Sequence, residues 1–222
     1  EDSVVAVRDS TLRLDYYGSG DAYLLGFDTT RVARTNFSFE SCAITVDSSH
    51  STTSLAGYPT SLVYVFDSAN IDDGTRIGFY NTTAVARASG DAALVDVRGT
   101  SNVNTGTQIV FRGGSFAAES TGRDAYGVSV SGGSKVQTAS GFVFDSTTAL
   151  VDAHKQASLL RVDAASQLDP RAVFRVASST VAVDGRTGDA SVVWAGQASS
   201  VANGAIHVEG NRMRVASHVT GR

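Results

Sequence analysis

The chain has 222 residues, is 42% hydrophobic and carries a formal charge of −4. That balance offers no basic field for a phosphate backbone, so nucleic acid is excluded as an expected partner. Cys42 is the only cysteine, which rules out a disulfide framework or a cysteine metal site and leaves it to be read as a small apolar residue.

From the N-terminus onward an apolar-x-apolar triplet followed by small turn-forming residues recurs, starting at Val5, Leu25, Phe37, Val63, Ile77, Val95, Ile109, Val128, Phe142, Leu160, Phe174, Val193 and Ile206. From Val63 onward short steps of about 14 residues alternate with long steps of about 18 residues, as in a repeat whose unit holds two strands. The true period is therefore a pair of triplets, about 32 residues long. The two members of the pair differ in chemistry. One class holds Phe37 and Phe39, Ile77 and Phe79, Ile109 and Phe111, Phe142 and Phe144; the other holds Leu25 and Phe27, Val63 and Val65, Val95 and Val97, Val128 and Val130.

Apolar alternation over such short spans marks strands with one buried face, and the β-branched and aromatic content agrees. Asp9-Ser10-Thr11, Asn81-Thr82-Thr83, Gly113-Gly114-Ser115 and Ser146-Thr147-Thr148 follow the triplets as turns, because these residues accept turn dihedrals or bond their own backbone. Ile44, Val85, Phe116, Leu150 and Val181 are expected to open the next wall of each coil. Stacking one coil on the next at ~4.8 Å gives an all-β fold, a right-handed parallel β-helix (β-solenoid) of about six or seven coils and roughly 30 Å in length. Phe39, Phe79, Phe111 and Phe144 then form an internal aromatic ladder. Residues 1–222 are one solenoid segment that opens and closes inside a repeat, as expected of a piece of a longer protein. The step from Phe37 to Val63 is longer than any other, and the surplus, residues 47–60, is expected to be a loop insertion.

Stacking also orders the polar residues. After the aromatic triplet the outward position reads Arg8, Glu40, Tyr80, Arg112, Asp145, Ala177 and Glu209; after the other it reads Asp28, Phe66, Arg98, Ser131, Asp163 and Gly196. Neither row sets two carboxylates side by side, and Arg112 beside Asp145 reads as a cross-strand ion pair. Asp72-Asp73-Gly74 reads as a solvated turn, since a hard cation needs several convergent oxygens. His50, His154, His207 and His218 lack metal-ligand spacing, and Gly127-Val128-Ser129-Val130-Ser131 lacks the last glycine of a nucleophile elbow. The Thr29-Thr30, Thr82-Thr83 and Thr147-Thr148 pairs do not make a continuous threonine ladder and read as turn residues. No catalytic, metal or cofactor site is assigned. Two Asn-x-Ser/Thr acceptors make Asn36 and Asn81 the candidate glycosylation sites, with Asn81 at a turn and Asn36 directly before a core Phe.

An Ala-Leu-Val-x-Val strand at 93–97 followed by Ile-Val-Phe-x-Gly-Gly-Ser-Phe at 109–116 resembles pectin-lyase-like right-handed β-helices. With the Arg-, Val-, Ser- and Ala-rich wording of Ser3 to Leu12, the chain also resembles the dispersed gene family surface proteins of trypanosomatid protozoa. Those proteins are very long, and the resemblance implies an extracellular or cell-surface setting and an adhesive role. The expectation is therefore a non-enzymatic structural or adhesive segment of a large surface or filament protein. Its expected partners are other segments or copies of the same or related proteins, and glycans. The rival is a carbohydrate-binding or polysaccharide-cleaving β-helix using an outer sheet lined by Tyr58, Tyr64, Tyr80 and Trp194.

Overall fold

A computed structural model describes residues 3–18, 20–50, 59–202 and 205–218. All regular structure among them is β, every strand pair is parallel, and no helix is long and apolar enough to cross a membrane. The strands form one twelve-stranded sheet and two six-stranded sheets, wound into a β-solenoid of about six turns.

Each coil visits four positions. The first arm of the large sheet holds Ser3–Arg8, Thr35–Glu40, the leading halves of Arg76–Ala88 and Gln108–Ser120, then Gly141–Asp145, Val173–Ala177 and Ile206–Glu209. The second arm holds Thr11–Asp15, Ala43–Ser48, the trailing halves of the same two long strands, Thr148–Ala153, Thr180–Gly185 and Arg212–Ser217. The second sheet stacks Ala22–Asp28, Thr60–Phe66, Ala92–Val97, Ala125–Val130, Ala157–Val162 and Ala190–Ala195. A short third sheet, from Arg31–Ala33 to Ser200–Val201, closes the coil. The aromatic class of triplet lies on the first arm and the other class on the second sheet, in the expected register: Phe37 faces Ile77, Ile77 faces Ile109, and Val95 faces Val63 and Val128.

The aromatic ladder is present. Ring centroids of Phe39 and Phe79 are 5.0 Å apart, those of Phe79 and Phe111 5.1 Å, and those of Phe111 and Phe144 4.8 Å, with interplanar angles no larger than 12°. Phe116 from the second arm meets Phe111 edge-on at 4.9 Å. Apart from Phe39, these rings are wholly buried, so each adds stacking to its hydrophobic burial.

A left-handed corner joins the two arms. Asp9, Ser41, Asn81, Gly113, Ser146, Ser178 and Gly210 all have positive φ there, which explains the run of Asp, Ser, Asn and Gly at this position. Where the corner holds two glycines, a Cβ at Gly114 would overlap the Thr82 carbonyl oxygen, so only glycine fits. The next residue turns inward, and its hydroxyl bonds the backbone: Thr82 Oγ1 donates to the Tyr80 carbonyl at 3.0 Å and Ser179 Oγ to that of Ala177 at 2.7 Å. The threonine pairs at 82–83 and 147–148 are corner residues, with Thr82 and Thr147 buried and Thr83 and Thr148 exposed.

The corner also corrects the expected second wall. The left-handed residue shifts the in–out alternation by one position, so Ala84 and Ala149 face the core while Val85 and Leu150 stand in the outward row, half-buried. Ile44, Phe116 and Val181 face inward as expected. The 47–60 insertion is also shorter than expected where it is described. Asp47 and Ser48 complete the strand Ala43–Ser48 and Thr60 starts Thr60–Phe66; residues 51–58, including Tyr58, lie outside the described residues. Asp72 does not lie in a solvated turn. It is buried at the end of the strand Asn70–Asp72, held by Arg31 and Asn104, while Asp73 and Gly74 make the exposed turn.

Candidate functional site

The outward side of the second sheet carries a network of polar and aromatic side chains. Tyr64, Asp96, Ser129, Arg161 and Trp194 share one outward row, and Phe66, Arg98, Ser131 and Asp163 share the next. Side chains two apart on extended chain point the same way, so Asp96 pairs with Arg98, and Arg161 with Asp163, across the C-terminal ends of their strands. Arg98 lies over the Tyr64 ring at 5.5 Å, and Arg161 lies 4.8 Å from the Tyr126 ring and 5.4 Å from the Trp194 ring. Tyr126 donates to Asp124 Oδ2 at 3.0 Å and accepts from Arg161 Nη1 at 2.5 Å, and Arg123 pairs with Asp91 at 3.1 Å.

This layer is closed over much of its area. Tyr64 is 3% exposed, Tyr126 2% and Asp96 0%, while Trp194, Phe66 and Arg161 remain half-exposed. Burial raises both tyrosine hydroxyls and the Asp91 carboxyl above their ordinary ranges. Burial opposes the charge on Arg98, but Asp96 and the neighbouring groups outweigh it and hold the guanidinium ionised. Asp21, at the entry to the first strand of this sheet, is pushed up to about 6, first by burial, with Asp96 and Asp67 adding to the shift and Arg98 and the Tyr64 hydroxyl opposing it. Asp21 Oδ1 is buried without a hydrogen bond.

A raised carboxyl favours the protonated form in the folded state. Its contribution to stability is complete below the unfolded value near ~4 and is lost as pH rises toward 6. Asp21→Asn is therefore expected to stabilise the protein at pH 7.5 by about 1 kcal/mol, a figure reduced for its half-exposure, and to change little at pH 4. Thermal denaturation of both proteins at the two pH values checks this; an equal difference at both would show that Asp21 does not titrate in that interval.

Catalysis by paired carboxylates needs two acids facing one substrate position. Here the acids are held by cations and hydroxyls: Asp96 by Arg98, Asp163 by Arg161, Asp91 by Arg123 and Asp124 by Tyr126. The second arm is similar, with Arg87 bridging Glu119 at 2.8 Å and Asp47 at 3.6 Å, and Arg112 pairs with Asp145 at 3.0 Å on the first. Among the described residues no three His, Cys, Asp or Glu side chains gather as a metal site. His207 is an exposed outward strand residue, and His50 stacks on Tyr17 at 5.9 Å.

Asn36 and Asn81 are both exposed but differently placed. Asn36 is the second residue of the strand Thr35–Glu40, with Val4 and Arg76 opposite it on either side. Asn81 is the left-handed corner residue of its coil, with φ 49°. The second-sheet network escapes sequence reasoning because its members come from five strands and the turns beside them. The Asp-x-Arg and Arg-x-Asp pairs at 96–98 and 161–163 are its one local signal.

The architecture defines a parallel β-solenoid with ion-paired outer faces. No protein-family model, no curated protein and no solved structure matches this chain.

Proposed function

We propose that this chain is a structural or adhesive β-solenoid segment of a large extracellular, cell-surface or filament protein, joined to other segments or copies through its end faces. The observation that carries the proposal is the regular stacking of about six like coils into one parallel β-solenoid, with apolar side chains on the described outermost rungs. Positions that are fully buried in the middle coils are bare there: Leu14 is 41% exposed, Val208 46% and Val215 44%, while their in-register neighbours Val46, Val176 and Val183 are at 0%. An apolar rung at the edge of a parallel sheet is a template for strand addition. Arg8 and Glu209 belong to the same outward row, and each is ion-paired within the rod, Arg8 with Glu40 at 3.1 Å and Glu209 with Arg175 at 2.6 Å. The resemblance to long surface proteins supports the setting, and the lateral faces, whose charges are largely paired, suit a spacer.

Sedimentation velocity over a concentration series tests this. The chain is expected to associate reversibly as concentration rises, and Val208→Lys with Val215→Lys to remove the association while leaving the β-sheet circular dichroism unchanged. A chain that stays monomeric at every concentration would overturn the end-face reading.

A second reading, carbohydrate binding or cleavage on the outer second sheet, is favoured by the half-exposed Trp194 stacked with Arg161. Tyr64 is too buried to stack on a sugar, and Tyr80 lies on the first arm, away from Trp194. Loss of polysaccharide retention on Trp194→Ala would support this reading.

A further inference from the structure

We propose that Asn81, and not Asn36, is the residue that accepts an N-linked glycan. The inference rests on the extracellular reading above and adds the position of the modification. Both asparagines begin an Asn-x-Ser/Thr acceptor, so sequence alone does not separate them. Their surroundings do.

Asn81 stands exposed at the left-handed corner between the two arms of the large sheet. The equivalent residue of the following coil is Gly113. A Cβ built there would overlap Asn81 Oδ1, so the carboxamide occupies space that any other residue would contest. On the other side an open shelf runs past the two preceding corners, lined by Asp9, Ser10, Ser41, Ala43 and Thr83 together with Asn81 itself. It gives a first sugar room and polar neighbours. Thr83, which completes the acceptor, is exposed and points outward beside it.

Asn36 also borders an open hollow, lined by Ser3, Arg34, Thr35 and Asp73, but it lies within a strand and not at a left-handed corner. Its Cα lies directly between Val4 and Arg76 of the adjacent strands, and the next residue, Phe37, is committed to packing, 5.7 Å from the Phe27 ring. A glycan there would have to rise between strand side chains at the spacing of the ladder, ~4.8 Å.

In the transfer, Asn81 Nδ2 forms a bond to the anomeric carbon of a lipid-linked oligosaccharide diphosphate. The bond from that carbon to the phosphate oxygen breaks, the lipid diphosphate leaves with the electron pair, and the amide proton passes to solvent.

The test is expression of the full chain behind an added secretory leader in a eukaryotic host. Peptide-N-glycosidase treatment in heavy-oxygen water and tryptic mass spectrometry follow. Arg76 and Arg87 bracket Asn81, so its peptide is separate from the one that holds Asn36. The expected result is labelled aspartate at Asn81 in most molecules, none at Asn36, and loss of the glycan in both Asn81→Gln and Thr83→Ala. Unmodified Asn81, or equal labelling at Asn36, would overturn the proposal. The leader delivers the chain to the secretory lumen wherever it resides naturally, so that failure would leave the extracellular reading standing. If Asn81 is modified in the secretory host but bare in protein isolated from its own cells, the extracellular reading fails and the site assignment survives.

Discussion

Phe111→Ala is expected to lower unfolding free energy by about 4 kcal/mol, the upper part of the usual range for a fully buried phenylalanine. The ring is wholly buried, stacks on Phe79 at 5.1 Å and on Phe144 at 4.8 Å, and meets Phe116 edge-on. Each such pair contributes roughly 0.5–1.5 kcal/mol beyond burial, and the alanine leaves a cavity that the rigid neighbouring coils cannot close. Because a solenoid is held by nearest-neighbour coil contacts, the loss also weakens coupling between the two halves of the rod. Phe39→Ala serves as the comparison. Phe39 has one stacked partner, Phe79, and sits near the end, so its loss is expected to cost clearly less. Urea denaturation followed by circular dichroism reads both; equal losses for the two variants would mean that the ladder does not act as a ladder.

Arg98→Ala is expected to cost about 3 kcal/mol through the charge it leaves behind. Asp96 has a side-chain exposure of 1%, and Arg98 is its ion-pair partner, itself laid over the Tyr64 ring at 5.5 Å. Removing the guanidinium strands a carboxylate in the outer layer of the second sheet without its ion-pair partner. Replacing both partners by apolar residues, Arg98→Met with Asp96→Leu, should restore most of the stability, since paired desolvation is removed with paired attraction. Guanidinium denaturation of the single and double variants at pH 7 decides the matter. A double variant no more stable than the single one would show that Arg98 acts through its packing on Tyr64 rather than through charge.

Much of the fold is legible because a solenoid writes its register into the sequence. The regular pairing of triplets places Phe39, Phe79, Phe111 and Phe144 on one rung line and Arg112 beside Asp145, and the structure has both. The phase of the second arm is not legible, because a single left-handed residue such as Asn81 reverses the alternation and no apolar spacing reports it. Spacing alone misplaces Val85 and Leu150 by one position for that reason. The short third sheet is readable in principle from Ile71, Val103, Val136 and Leu168, which recur once per coil, but two-residue strands such as Asn102–Val103 give no alternation of their own. The charge network on the second sheet needs coordinates, since Asp21, Tyr64, Asp96 and Arg98 meet across three coils.

The most direct test of the end-face account is the shape of the particles that form when concentration is raised. Electron microscopy or small-angle scattering of purified protein should show assemblies that lengthen along the solenoid axis at constant cross-section, and the Val208→Lys, Val215→Lys variant should remain at unit length. Assemblies that widen instead, or wild-type particles of unit length at every concentration, would contradict it.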